Sequence, residues 1–299
     1  MGKKSGGGCL LVVVIAAAVL GFGYYKSKHG SSDSPPDGPA TGGGTGRYVA
    51  LGDSYTSSPK TGNAAGTPAG CDRSTNNYPH LVSAKINPAE FVDVSCSGAT
   101  TDHLTGAQAT RNGTNPPQLG ALNAETTLVT LGIGGNDVGF IGIGSTCATT
   151  NANASPCRDR LTAGGRDQLA EGIEATAPRI GQVLDKIHEK APQARVIVVG
   201  YPTVLPDGDG CWPTLPVGSG DVAYFREALG KLNDMLADQA KSHDAGFADT
   251  ATPSKGHDLC TAAGTRWIEP VVPAAKAISL HPNAKGEQGM ADVVLKLLD

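Results

Sequence analysis

The sequence predicts an α/β fold: a three-layer sandwich in which a central, mostly parallel five-stranded sheet carries helices on both faces. Two observations predict it. Short, continuous apolar runs, the mark of strands buried on both faces, recur along the chain. Amphipathic stretches with apolar residues three and four positions apart lie between them, and that alternation is the signature of parallel strands joined by crossover helices.

The elements follow in order. Tyr48-Val-Ala-Leu-Gly-Asp53 reads as the first buried strand and Glu90-Phe-Val-Asp-Val-Ser-Cys96 as the second. Thr127-Leu-Val-Thr-Leu-Gly132 is the third, Arg195-Val-Ile-Val-Val-Gly200 the fourth, and Gly246-Phe-Ala-Asp249 a short fifth. The clearest helix runs from Gln168 to Lys190, with Leu169, Ile173, Ile180, Val183, Leu184 and Ile187 on one stripe. Two others span Val222 to Lys241 and Lys285 to Leu298. Crossovers are expected to be right-handed. Gly- and Pro-rich loops are expected over 57–77, 138–165, 202–220 and 251–283, and no internal repeat is visible.

The folded unit is expected at 47–299. Before it, Lys3 and Lys4 precede an apolar run from Cys9 to Tyr25. That run is at the lower limit for spanning a bilayer and also suits a signal-peptide core. Residues 1–26 are therefore read as a cleaved signal peptide or a retained membrane anchor, attaching through residues 10–25. Residues 27–46 are Gly-, Ser- and Pro-rich and cannot bury a core, so they read as a flexible linker. The protein is expected outside the cell or at its surface. Net charge is −4, and without residues 1–46 the balance is 20 basic against 26 acidic side chains. That argues against a nucleic-acid partner, which needs a dense basic patch. Aromatic residues make up only 5% of the chain, which disfavours a stacking platform.

Beyond Cys9 there are six cysteines, at 71, 96, 147, 157, 211 and 260. An even number after an export segment points to disulfides, and pairing sequence neighbours (Cys71–Cys96, Cys147–Cys157, Cys211–Cys260) closes the shortest loops. No two of them have the CxxC spacing of a zinc site, and no metal is expected.

In open α/β sheets ligands bind beyond the carboxyl ends of the strands. Ser54 follows the first strand, Gly98 the second and Asn136 the third. Ser54 is a candidate nucleophile at the start of a turn, where backbone N–H groups face incoming charge; taken alone, it reads first as a helix cap. The G-x-S-x-G elbow of α/β-hydrolases is absent, the run being Gly52-Asp53-Ser54-Tyr55-Thr56. Of seven histidines, His281 in Ser279-Leu280-His281-Pro282-Asn283 lies in a loop next to a rigid turn and before a helix, a suitable place for a general base. His29 is in the linker, His80 and His188 fall in helical stretches, and His103, His243 and His257 have no suggestive partner. Gly98 offers an unobstructed backbone N–H and Asn136 a side-chain amide to a developing oxyanion; their plain readings are a turn and a helix cap. The glycines lack the spacing of a phosphate-binding loop.

Four blocks in order, Gly52-Asp53-Ser54, Gly98 in Ser-Gly-Ala-Thr, Gly134-Gly135-Asn136-Asp137 and His281-Pro282-Asn283, resemble the SGNH, or GDSL, hydrolase family. Cys71-Asp-Arg73-Ser74 followed by Tyr78-Pro79 is similar to the secreted actinobacterial lipases and esterases, which carry three sequential disulfides. The resemblance implies a flavodoxin-like sandwich and an acyl-enzyme mechanism. Ser54 would be the nucleophile and His281 the base. The Ser54 and Gly98 N–H groups with the Asn136 amide would form the oxyanion hole, and no cofactor is implied. One position departs from the pattern: Ile278 stands where the family usually has the acid that orients the base. A main-chain carbonyl, of Ile278 or Ser279, is expected to take that role, with Asp258 folding back as the alternative.

The implied activity is hydrolysis of carboxylic esters, lipid or short acyl, by a monomer. A phospholipase and a polysaccharide deacetylase are alternatives on the same machinery. A non-catalytic surface binding module and a tethered structural protein are the readings from other classes.

Overall fold

The computed structural model describes residues 46–140, 142 and 146–299. The segment read as signal or anchor, and the linker up to residue 45, lie outside the described residues. Among the described residues no helix is long and apolar enough to cross a membrane.

Among the described residues seven strands form in chain order: β1 (Arg47–Gly52), β2 (Glu90–Asp93), β3 (Gln108–Thr110), β4 (Gly113–Asn115), β5 (Thr126–Gly132), β6 (Arg195–Val199) and β7 (Gly246–Ala248). Five build the central sheet in the order β2-β1-β5-β6-β7, and every pairing is parallel. The helices described here are α1 (Ser54–Ser57), α2 (Tyr78–Ile86), α3 (Asp102–Thr105), α4 (Gly135–Val138), α5 (Pro156–Leu161), α6 (Gln168–Lys190), α7 (Ser219–Ser242) and α8 (Ala284–Leu298).

Alternation along each strand divides the core between the two faces of the sheet. Val49, Leu51, Val129, Leu131, Val196 and Val198 pack with Ile180 and Leu184 of α6 and Leu232 and Leu236 of α7. Their neighbours Tyr48, Ala50, Leu128, Ile197 and Val199 pack with Tyr78 and Val82 of α2 and Met290 and Val294 of α8. Helices thus cover both faces, because the strands of the central sheet carry apolar residues on both.

The structure departs from the expected elements in a few places. The central sheet is wholly parallel. β2 ends at Asp93, although Val94 N–H and Cys96 N–H still donate to the Ala50 and Gly52 carbonyls, at 3.0 and 2.9 Å. β6 and β7 each end one residue early. An antiparallel pair, β3 and β4, was not expected, because Gln-Ala-Thr and Gly-Thr-Asn show no apolar alternation. The loop expected at 138–165 contains α5, whose Cys157 and Arg158 N–H groups donate to the buried carboxylate of Asp221 on α7.

The disulfides are Cys71–Cys96, Cys147–Cys157 and Cys211–Cys260. Each ties down a connection at the loop-bearing parts of the scaffold.

Candidate active site

β1 and β5 end side by side, with Gly52 opposite Gly132. A Cβ on Gly52 would lie 2.5 Å from the Gly132 carbonyl oxygen and would also strike the Thr56 hydroxyl. Glycine therefore lets the chain turn sharply into α1, and Gln118 secures the turn by bonding both the N–H and the carbonyl of Gly52, at 2.8 and 2.9 Å.

The cap of α1 is Asp53 rather than Ser54: its carboxylate accepts from Tyr55 N–H at 2.9 Å. Ser54 is left free for other partners. Its Oγ lies 2.7 Å from His281 Nε2. His281 is buried, and its Nδ1 lies 2.8 Å from the Ser279 carbonyl oxygen. A carbonyl only accepts, so Nδ1 carries the proton and Nε2 is left to accept from the Ser54 hydroxyl. Of the two carbonyls expected to orient the base, Ser279 meets the ring. That of Ile278 accepts the backbone N–H of His281 at 3.3 Å instead. Asp258 does not reach the ring; it caps its own turn through Cys260 N–H. Burial pushes the His281 pKa below the ordinary value of 6.5, and the Ser279 carbonyl pulls it partly back.

The loop bearing His281 is clamped on several sides. Leu280 N–H donates to the Glu269 carbonyl at 2.9 Å, and Glu269 N–H donates to the His281 carbonyl at 3.0 Å. Tyr55 donates its hydroxyl to the Leu280 carbonyl at 2.6 Å, and its ring lies 4.7 Å from the imidazole. Leu280 has φ 62°, a left-handed conformation that costs a side-chain-bearing residue about 1–3 kcal/mol. Asn283 caps α8 through Lys285 and Gly286 N–H, as its place before that helix suggested.

Gly98 follows β2 in a turn with φ 77°, and a Cβ there would meet only Gln108 Nε2 at 3.8 Å. Conformation rather than space is what favours glycine. The N–H groups of Ser54 and Gly98 have no hydrogen-bond partner among the described residues. Asn136, in α4, donates one amide hydrogen to the Ala99 carbonyl at 2.9 Å, which links the loop after β2 to the loop after β5. Asp137 adds a second link through Thr101 N–H at 3.0 Å.

Ser54 and Asn136 line one cavity of about 380 Å³; Gly98 is not among its lining residues. Its walls are apolar, with Phe140, Val204, Leu215, Phe225, Leu229 and Leu232 among them. The other described histidines are engaged elsewhere. His80 meets Asn77, His103 meets Thr100, His188 meets the His243 carbonyl, His243 meets Asp185, and His257 meets the Thr265 carbonyl. Among the described residues no group of His, Cys, Asp or Glu is arranged to hold a metal.

Three residues of this site were not singled out from the sequence: Asp53, Tyr55 and Tyr201. Tyr201 donates to Asp53 Oδ2 at 2.6 Å and accepts from Gly135 N–H at 2.8 Å. It thereby joins the turn that holds Ser54 to the one that holds Asn136. Burial raises the Asp53 pKa to about 7 against the opposing hydrogen bond from Tyr201. The strand-edge rule could have found Tyr201, which follows β6 at the same sheet edge.

The model of the GDSL-like lipase/acylhydrolase family matches residues 50–288. Lipase 2 of Streptomyces coelicolor is 39% identical, over 84% of this chain and 85% of its own. The crystal structure of phospholipase A1 from Streptomyces albidoflavus is 32% identical, with TM-score 0.71 over 84% of this chain and 98% of its own. That of the extracellular lipase of Streptomyces rimosus is also 32% identical, with TM-score 0.70 over 84% and 99%.

Proposed function

The chain belongs to the GDSL-like lipase/acylhydrolase family, and from that premise we propose that Ser54 and His281 work as a catalytic dyad on esters of apolar acyl chains. The protein is a carboxylic ester hydrolase, as its lipase relatives are. The observation that carries the dyad is the 2.7 Å approach of His281 Nε2 to Ser54 Oγ, with Nδ1 held by the Ser279 carbonyl.

In this reading His281 Nε2 takes the hydroxyl proton as Ser54 Oγ attacks the ester carbonyl. The tetrahedral oxyanion is met by the Ser54 and Gly98 N–H groups and the Asn136 amide. His281 then gives the proton to the leaving alcohol, leaving an acyl-Ser54. A water that loses its proton to Nε2 attacks the acyl carbon, and the proton returns to Ser54 as the acid departs. The transient imidazolium leans on a carbonyl dipole rather than a carboxylate. It is therefore less stabilised than in a triad.

The apolar cavity beside Ser54 supports a hydrocarbon acyl chain over an acetyl group, and so favours a lipase, phospholipase or long-chain esterase over a polysaccharide deacetylase. Three disulfides support a site of action outside the cell, and we take residues 47–299 as the catalytic domain.

The test is a chain-length series of nitrophenyl esters with the wild type and Ser54→Ala. Activity is expected to rise from acetate to medium chains and to fall by on the order of 10⁴-fold or more in Ser54→Ala. Activity surviving in that variant removes the serine mechanism, and a wild type inert on every chain favours a binding module.

A further inference from the structure

Val271 both lines the cavity beside Ser54 and is 40% exposed, and its neighbour Val272 is 80% exposed. The one other exposed large apolar side chain among the described residues is Trp212. It belongs to the loop whose Leu215, Pro216 and Val217 line the same cavity. Scattered exposed apolar residues need no explanation, but two adjacent ones at the mouth of an apolar pocket do.

The valine tip is built to stay exposed. Prolines at 270 and 273 flank it and restrict its backbone. Glu269, only 1% exposed, closes the loop beneath it: its carboxylate accepts from Ala274 and Ala275 N–H at 2.7 and 3.1 Å and from Asn283 at 2.7 Å. Burial opposes the charge on Glu269, but these hydrogen bonds hold its carboxyl below the ordinary glutamate value. Ser279 donates to the Val271 carbonyl at 2.6 Å, which ties the tip to the residue whose own carbonyl holds His281. The segment 270–280 contains Lys276 and no acid, in a folded chain that is acidic as a whole.

We propose that Val271 and Val272 form a fixed apolar tip that seats the mouth of the cavity on the surface of an ester-lipid assembly, so that an acyl chain passes from the assembly along Val271 to Ser54. The occupant is a lipid surface because the patch is continuous with the acyl cavity. A hydrocarbon chain leaving a droplet or bilayer would otherwise cross water. The inference rests on the acyl-ester reading of the site.

The experiment compares the full-length wild type, Val272→Ser and Val272→Leu on tributyrin below and above its solubility limit. The acyl chain is then the same in both states and only the surface differs. Val272 is outside the cavity wall, so Val272→Ser is expected to keep its rate on dissolved tributyrin and to lose about tenfold on the emulsion at limiting droplet area. Val272→Leu is expected to match the wild type on both. Equal rates of all three proteins on the emulsion overturn the proposal, as does a Val272→Ser loss of equal size on dissolved ester. A change in self-association by Val272→Ser without loss on the emulsion overturns it too, assigning the patch to a second copy. A wild type inert on both states would instead defeat the acyl-ester reading.

Discussion

At the scale of single residues, the chemistry depends on which group holds His281. A carboxylate beside the imidazole would raise its pKa, whereas burial with only a carbonyl partner lowers it. The proposed dyad needs neutral His281, so the acid limb of kcat/KM is expected below pH 6.5, and the enzyme should stay active into mildly acidic conditions. A pH profile of kcat/KM checks this; a midpoint above 6.5 that persists in Asp53→Asn would mean that a carboxylate reaches the ring. Asp53, with its pKa raised to about 7, can add an inflection of its own, which Asp53→Asn removes while leaving the His281 limb in place. Tyr55 acts through the loop rather than on the ester. Tyr55→Phe keeps the ring against the imidazole but deletes the hydrogen bond to the Leu280 carbonyl. It is expected to lower kcat by about fivefold with KM little changed, for about 1 kcal/mol of lost loop positioning.

At the scale of elements, the site is assembled where β1, β2 and β5 end, and the covalent link at that edge is Cys71–Cys96. Ser97 N–H donates to the Cys71 carbonyl at 3.0 Å, so the bridge also sets the turn that contains Gly98. Closing a loop of 25 residues restricts the unfolded chain by about 3 kcal/mol. Replacing both cysteines by serine should lower Tm by roughly 6–12 °C in a domain of this size. It should also lower kcat at temperatures well below the new Tm, because the turn proposed to hold the oxyanion loses its anchor. Thermal melts and kinetics on the double variant check both. An unchanged kcat would show that Gly98 is held without the bridge.

At the scale of the whole molecule, two helical layers close on the sheet, and α8 carries a fully buried carboxyl, Glu287, into the contact with α2. It accepts from Tyr78 N–H at 2.7 Å, and burial raises its pKa to about 8 from 4.5. Between those values the folded protein binds the proton that the unfolded chain has lost. Stability therefore falls as pH rises from 4.5 through about 8 and levels off above. Glu287→Gln is expected to flatten that part of the dependence and to raise Tm at pH 9 by roughly 3–6 °C, measured by calorimetry across the range. A variant whose melting curve keeps the wild-type slope would assign the dependence to other groups.

Much of this was legible in the chain itself. The largely apolar runs at 48–51, 128–131 and 196–199 and the stripe from Leu169 to Ile187 determined strands and helices, because apolar pattern follows backbone period. Four short motifs at the edge of that sheet singled out Ser54, Gly98, Asn136 and His281. The β3–β4 pair left no mark, since it is short and polar. Nothing local distinguished the carbonyl of Ser279 from that of Ile278. That choice depends on the left-handed turn at Leu280 and on clamps from Glu269 and Tyr55, which are 11 and 225 residues away. The sequence by itself determined which groups are candidates for the chemistry, because reactivity belongs to residue type. The tertiary structure alone decided which partner each group has, because a hydrogen bond across a fold depends on where distant segments come to rest.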